Sequence, residues 1–348
     1  MRLLQVQGPQ DMPLVRAPRP APGAGEVLIA VAYCGICGSD FPRYFDGAVH
    51  AFPQTLGHEF SGVVAETGPG VTTVAVGQRV AVAPLVPCHD CPQCQAGRPS
   101  LCAQYSFIGS RRQGALADFV AVPARNLVPL PEEVSLRDGA LVEPLTVALH
   151  GLGQIPAVEG ASAAVFGVGV IGLLTVAALK ARGAGRVVAV DMHPDKLALA
   201  AQLGADDTVL GPAVDSFFAD APAVQLAIET AGHPVTQAQA VAHTGAAGQV
   251  VFVGTSSRDV TFRSEQFERI LRGELSLRGS WMSYTDPFPG REWTDAVAML
   301  AQTPALAALI SHVYSLDDGP KPFLDIRQAG GGRLKALYRV SPDLEAQP

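Results

Sequence analysis

A chain of 348 residues, 48% of them hydrophobic, can bury about two domain-sized cores. Its formal net charge is −7 and only 16% of its residues are charged, which argues against non-specific nucleic-acid binding. No apolar run reaches the roughly 18 residues of a membrane span and no secretory leader is expected after Met1, so neither membrane nor nucleic acid is an expected partner and the expected location is cytoplasmic.

In chain order, the first third reads as short strands. EVLIAVAYCG (26–35), FSGVVAETG (60–68), GQRVAVAP (77–84) and ALADFVAVP (115–123) are apolar, rich in β-branched residues and bounded by Gly or Pro. Such strands predict a small barrel or sandwich. After Leu149 the rhythm changes. A strand over Ser162–Phe166 leads through a glycine turn into a helix ending near Leu179, and a second strand, Arg186–Val190, ends at Asp191. A helix over Pro194–Leu203 follows, then strands over Val224–Glu229, Gln249–Gly254 and Leu275–Trp281. This alternation predicts a doubly wound α/β domain with a parallel sheet and right-handed crossovers. A helix over Arg291–Leu300 and an irregular tail are expected to rejoin the first domain. The expected division is therefore 1–148 with 288–348, including a metal lobe at 86–104, and 149–287 between them.

Gly167-Val168-Gly169-Val170-Ile171-Gly172 is a GxGxxG run that follows a predicted strand and opens a helix. The first glycine suits a tight turn, the second a close approach of backbone to a pyrophosphate, the third close packing of helix on strand. Asp191 follows Gly172 by nineteen residues, at the end of the next strand, where an acid can bind a ribose 2′-hydroxyl. Its carboxylate would repel a 2′-phosphate, and Met192 and His193 follow it rather than an arginine, so NAD is expected over NADP. Val170, Ile171, Lys196, Val253 and Thr255 complete the expected cofactor contacts.

Cys88-x2-Cys91-x2-Cys94-x7-Cys102 offers four thiolates that can close a tetrahedron around one structural zinc. His89 lies inside this run as a bystander, since four cysteines complete the shell. Only Arg98 is basic between Cys88 and Cys102, too little charge for a nucleic-acid finger. In a chain of this size, clustered cysteines favour metal over disulfides.

Cys37, Ser39, Asp40, His58 and Glu59 fall in one segment, with Cys37 and His58 twenty-one residues apart. A loop that folds back could bring thiol and imidazole together at a catalytic metal with an open position. Cys34 sits in a strand-like run and reads as a buried small residue. Ser39 is placed to take or give a proton, and Asp40 to hold the second nitrogen of His58. A third ligand is needed, and both Glu59 and Glu143 are available.

These elements, CGICGSD (34–40), GHE (57–59), the four-cysteine run, VEP (142–144), GVGVIG (167–172) and Asp191, together resemble the zinc-dependent medium-chain dehydrogenase/reductase superfamily over essentially the whole chain. The strings CGSDFPRYFDGAVHAFPQTLGHEFSG, YSFIGSRRQG and GSWMSYTDPFPGREW narrow the resemblance to its polyol branch. It implies a GroES-like barrel carrying the catalytic zinc beside a Rossmann domain, NAD and two zinc ions per chain, and a homodimer or homotetramer. By position it implies catalytic zinc on Cys37 and His58, with Glu143 as third ligand and Glu59 as the alternative. Pro42 departs from the pattern, standing where alcohol dehydrogenases often carry a histidine. The implied reaction is zinc-assisted oxidation of a secondary hydroxyl, in a cleft between the domains, with Ser39 accepting the proton. The implied substrate is a polyol phosphate, and Ser39, Arg43, Arg111 and Trp281 are the expected contacts, since a guanidinium grips phosphate in a fork. Dehydrogenation of a free polyol and a catalytically inactive zinc- and nucleotide-binding protein are the competing readings.

Overall fold

The computed structural model describes residues 1–330 and 333–345 and divides into two units. One comprises Met1–Thr146 and the chain from Tyr284 on; the other is Val147–Ser283.

The first unit is built on strand Glu26–Gly35. Nearly every residue in it is buried, as a strand covered on both faces must be, which is why its sequence is a continuous apolar run. Along one edge it pairs antiparallel with strand Glu59–Thr67, bringing Gly35 opposite Glu59. Its other edge is shared: residues 26–30 pair with Phe119–Pro123, and residues 33–35 pair with Lys335–Arg339. In that second ladder Leu337 lies opposite Gly35. Three segments far apart in sequence therefore meet at one strand end: the chain leaving Gly35, the start of Glu59–Thr67 and the start of Lys335–Arg339.

The tail is not irregular. It folds as strand Ile310–Ser315, helix Lys321–Gln328 and strand Lys335–Arg339, with the two strands parallel. A run such as LKALYRV is short, and its strand character depends on the partner it finds just over 300 residues earlier. Helix Asp40–Phe45 carries the turn after Gly35 and anchors it through aromatic contact, with Tyr44 and Phe41 packed on Phe323 at ring separations of 5.1 and 5.7 Å.

The second unit is a six-stranded parallel sheet in the order Asp207–Leu210, Val187–Asp191, Ala163–Phe166, Val224–Glu229, Thr244–Phe252, Ser276–Gly279. Strand order reverses between Ala163–Phe166 and Val224–Glu229, and nucleotide crevices form at the carboxyl edge of such a point. Among the described residues no helix is long and apolar enough to cross a membrane.

Candidate functional site

The strand registers position the first cluster. Cys37 lies two residues beyond Gly35, while His58 and Glu59 lead into the opposing strand. Gly35 is required there, because a Cβ at that position would collide with the Glu59 side chain. The ligand atoms of Cys37, His58 and Glu59 all lie within 4.8 Å of one another. A tetrahedral zinc holds its ligand atoms roughly 3.6 Å apart, so a small inward movement closes this set around a metal. Its chemistry fits zinc: a thiol, an imidazole and a carboxylate, with His58 and Glu59 buried.

Of the two acids expected here, Glu59 is the one brought into the cluster; Glu143 is not part of it. Glu143 sits in the first turn of helix Val142–Gly153 and still feels the cluster electrostatically. Burial pushes its carboxyl up to about 8, with the negative charges of Glu59 and Cys37 adding to the rise and His58 opposing it. The Cys37 thiol is likewise pushed up to about 11, by burial first and then by Glu59 and Asp40.

Glu59 has a partner that the sequence did not reveal. Buried Lys335 donates to both carboxylate oxygens, at 2.8 and 2.6 Å, and to the Ile36 carbonyl at 3.0 Å. Asp40 is buried and divides its carboxylate: one oxygen accepts the Cys37 N–H at 3.1 Å, the other accepts from Arg43 at 2.9 Å. The latter oxygen is 3.6 Å from His58 Nδ1, longer than a hydrogen bond, so the expected Asp40–His58 hydrogen bond is not formed. Arg43 Nη1 also donates to Ser39 Oγ at 3.0 Å.

Of the other expected substrate contacts, Arg111 lies over the Tyr105 ring, 4.3 Å from its centre, while its neighbour Arg112 pairs with Glu26 at 2.6 Å. Trp281 belongs to the second unit and is 52% exposed.

The four cysteines of the lobe converge as their spacing predicts. All six cysteines of the chain are free, and the sulfurs of Cys88, Cys91, Cys94 and Cys102 lie within 4.8 Å of one another. Backbone N–H groups of Cys88 and Cys91 point at the sulfurs of Cys102 and Cys88, each at 3.3 Å, in the manner of donors to thiolates. Hydrogen bonding, led by the Cys94 N–H, lowers the Cys91 thiol to about 6, which favours the thiolate a metal needs. The set fits a closed four-sulfur zinc shell, and His89 stands apart with its ring edge on Phe288.

The second unit holds a cavity of about 600 Å³, lined in part by Gly167, Gly169, Asp191, Met192, His193 and Lys196. The three glycines behave as their roles demand. Gly167 has φ +88° and no room for a side chain, Gly169 faces open space, and a Cβ on Gly172 would strike the Gly167 carbonyl. Asp191 accepts the N–H groups of Val168 at 2.8 Å and His193 at 3.0 Å, which fixes its carboxylate at the strand end, and Lys196 Nζ lies 4.0 Å from it. These features fit a dinucleotide. Val170, Ile171, Val253 and Thr255 are not among the residues lining this cavity, whereas Thr230, Ala231, His233 and Thr236, which no motif pointed to, are.

Loading the first cluster with metal must displace a proton, because a Cys37 thiol pushed up to about 11 is protonated at neutral pH and zinc binds the thiolate. Apparent zinc affinity at this site is expected to rise about tenfold per pH unit from pH 6 to 8 for each proton released, measured by competition with a chelator. A pH-independent affinity would contradict this geometry.

Residues 23–132 match the family model of the alcohol dehydrogenase GroES-like domain, and residues 170–302 that of zinc-binding dehydrogenases. Galactitol 1-phosphate 5-dehydrogenase of Escherichia coli (strain K12) is 40% identical over 316 residues, 89% of this chain and 91% of that protein. A crystal structure of galactitol-1-phosphate dehydrogenase from Escherichia coli superposes with a TM-score of 0.91 at 37% identity, covering 98% of this chain and all of that one. D-xylulose reductase A of Aspergillus niger is 32% identical over 332 residues, 88% of this chain and 87% of that protein. A zinc-binding-dehydrogenase chain from Sinorhizobium meliloti 1021, solved bound to NADP, matches with a TM-score of 0.87 at 32% identity over 97% of this chain and 99% of that one.

Proposed function

The chain belongs to the zinc-binding, GroES-like medium-chain dehydrogenases of alcohols and polyols, and we propose that it oxidises a secondary hydroxyl of a polyol phosphate of the galactitol 1-phosphate class, using NAD and two zinc ions. The observation that carries the reading is the convergence of Cys37, His58 and Glu59, which leaves Ser39 at the edge of the same cluster. When bound, zinc supplies a Lewis acid that lowers the pKa of an alcohol, and the nicotinamide supplies the hydride acceptor.

The chain's own residues do the rest. Cys37, His58 and one of the two acids hold the metal, with Glu59 favoured by proximity and Glu143 in reserve. Lys335 keeps Glu59 in place, and Asp40 fixes the turn that carries Cys37 by accepting its N–H. Ser39 Oγ takes the proton released by the substrate. Because Arg43 donates to that oxygen, the serine's own hydrogen is turned elsewhere and can be passed outward. Pro42 is no relay, and the Arg43 guanidinium only donates and cannot take a proton, which leaves water as the outer path. Asp191 receives the ribose hydroxyls, and its charge opposes a 2′-phosphate, favouring NAD even though one relative binds NADP. Cys88, Cys91, Cys94 and Cys102 hold the second, structural zinc.

The phosphate preference is supported by the similarity to galactitol 1-phosphate 5-dehydrogenase. One structural observation favours the free polyol instead: Arg43 is already engaged by Asp40 and Ser39, and Arg111 by the Tyr105 ring. With NAD as acceptor, kcat/KM for galactitol 1-phosphate is expected to exceed that for galactitol, sorbitol and xylitol by about 100-fold, the worth of one charge-assisted pair or two. Equal or faster turnover of the free polyols would give the reaction to them.

A further inference from the structure

Strand Val224–Glu229 ends on a buried carboxylate that none of the steps above uses. Glu229 is 0% exposed and sits opposite Phe166, where the order of the parallel sheet reverses. One of its oxygens accepts three hydrogen bonds from the segment that follows: the N–H of Ala231 at 3.0 Å, the N–H of Gly232 at 2.9 Å and the hydroxyl of Thr236 at 2.7 Å. The other oxygen, also buried, has no hydrogen-bond partner. A carboxylate so placed is costly, and an apolar residue would fill the space at lower cost. Burial accordingly pushes its pKa up, against the restraint of the donors.

The segment that Glu229 holds is a wall of the cofactor cavity. Thr230, Ala231, His233 and Thr236 all face it. The same segment packs against the glycine turn: the Thr230 hydroxyl donates to the Gly167 carbonyl, and Ala231 occupies the space a side chain on Gly167 would need. On the far side, Gly254 leaves room for the carboxylate, since a Cβ there would come within 2.9 Å of its second oxygen and collide with the Gly232 nitrogen. One carboxyl group thus ties the end of one strand, the turn at Gly232 and the start of helix Pro234–Ala242 into a single rigid piece.

We infer that Glu229 is a positioning residue for the nucleotide: it sets the distance between the Thr230–Thr236 wall and the glycine turn, and so the fit of the dinucleotide. The inference rests on the reading of this cavity as the NAD site. Removing Glu229 should therefore weaken the cofactor and spare the metal sites.

The test is NADH affinity by fluorescence titration, with zinc content, for the wild type, Glu229→Ala, Glu229→Gln and Thr236→Val. Expected are a Kd raised about 10-fold or more in Glu229→Ala, about 3-fold in Thr236→Val, and a value near wild type in Glu229→Gln, which keeps an acceptor oxygen for the three donors. In steady state, KM for NAD should rise in the same order while kcat at saturating NAD and zinc content stay unchanged. A Kd within 2-fold of wild type in Glu229→Ala and Thr236→Val would overturn the inference, as would a fall in kcat matching the rise in KM. If Glu229→Ala does not fold, Thr236→Val decides by the same criterion. Failure of the wild type to bind NADH would instead overturn the cofactor reading on which the inference stands.

Discussion

Replacing His58 with alanine is expected to lower kcat/KM by on the order of 10³-fold and to reduce the zinc content from two ions per chain to one. The imidazole is one of three groups whose ligand atoms lie within 4.8 Å of one another, and it is buried, so no solvent-borne ligand replaces it easily. A Lewis acid at an alcohol is worth several kcal/mol of transition-state stabilisation, and each 1.4 kcal/mol is a factor of ten in rate. NADH binding should survive, because the cofactor cavity is built from other residues. Metal analysis and initial rates on the purified variant check this. Unchanged turnover would mean that Cys37, His58 and Glu59 are not the reacting centre. A wild type without turnover on any polyol, polyol phosphate or simpler alcohol would favour the inactive zinc- and nucleotide-binding reading.

The second large effect is expected on stability. Lys335 is buried and makes two hydrogen bonds to Glu59, so its removal leaves a carboxylate inside the protein with no cation beside it. Breaking one side of a buried ion pair costs about 3–5 kcal/mol, whereas the intact pair is worth much less against an apolar isostere. In the zinc-stripped protein, Lys335→Met should therefore lower Tm by on the order of 10 °C. Zinc should recover part of that loss, since the metal supplies a positive charge to the same carboxylate. Burial alone would push the lysine's pKa down; Glu59 and Cys37 outweigh it and hold it above the ordinary value. A raised lysine pKa stabilises fully below the unfolded value and is lost only as pH rises through the folded one, so the pair should persist unchanged across neutral pH. Thermal melts of the stripped and loaded variant test this, and an unaltered Tm in the stripped form would show that the pair does not hold this strand end together.

Much of this architecture was legible in the residues because it is local. The roles of Gly167, Gly169 and Gly172 depend on one turn, and the turn is written in six consecutive residues. The four-cysteine lobe spans fifteen positions and needs no distant partner to converge. The features that escaped are non-local. Lys335 reaches Glu59 across 276 residues through a strand whose pairing with Glu26–Gly35 cannot be inferred from its own five residues. The same pairing turns an apparently irregular tail into part of the first unit's sheet. The Thr230–Thr236 wall was missed because its signal is one acid at a strand end, easily read as a boundary residue. Glu143 was ranked above Glu59 by the resemblance alone, and what the resemblance did not carry is the register that sets Gly35 opposite Glu59 and brings that acid together with Cys37 and His58.

Whether a zinc held by Cys37 and His58 drives the oxidation while a second is structural is tested by titrating zinc back into chelator-stripped enzyme while following NADH formation from galactitol 1-phosphate. Expected are two zinc ions per chain in the isolated protein, loss of activity when the ion at Cys37 and His58 is removed, and recovery in proportion to its return. One ion per chain, or full activity after both are removed, would contradict this assignment.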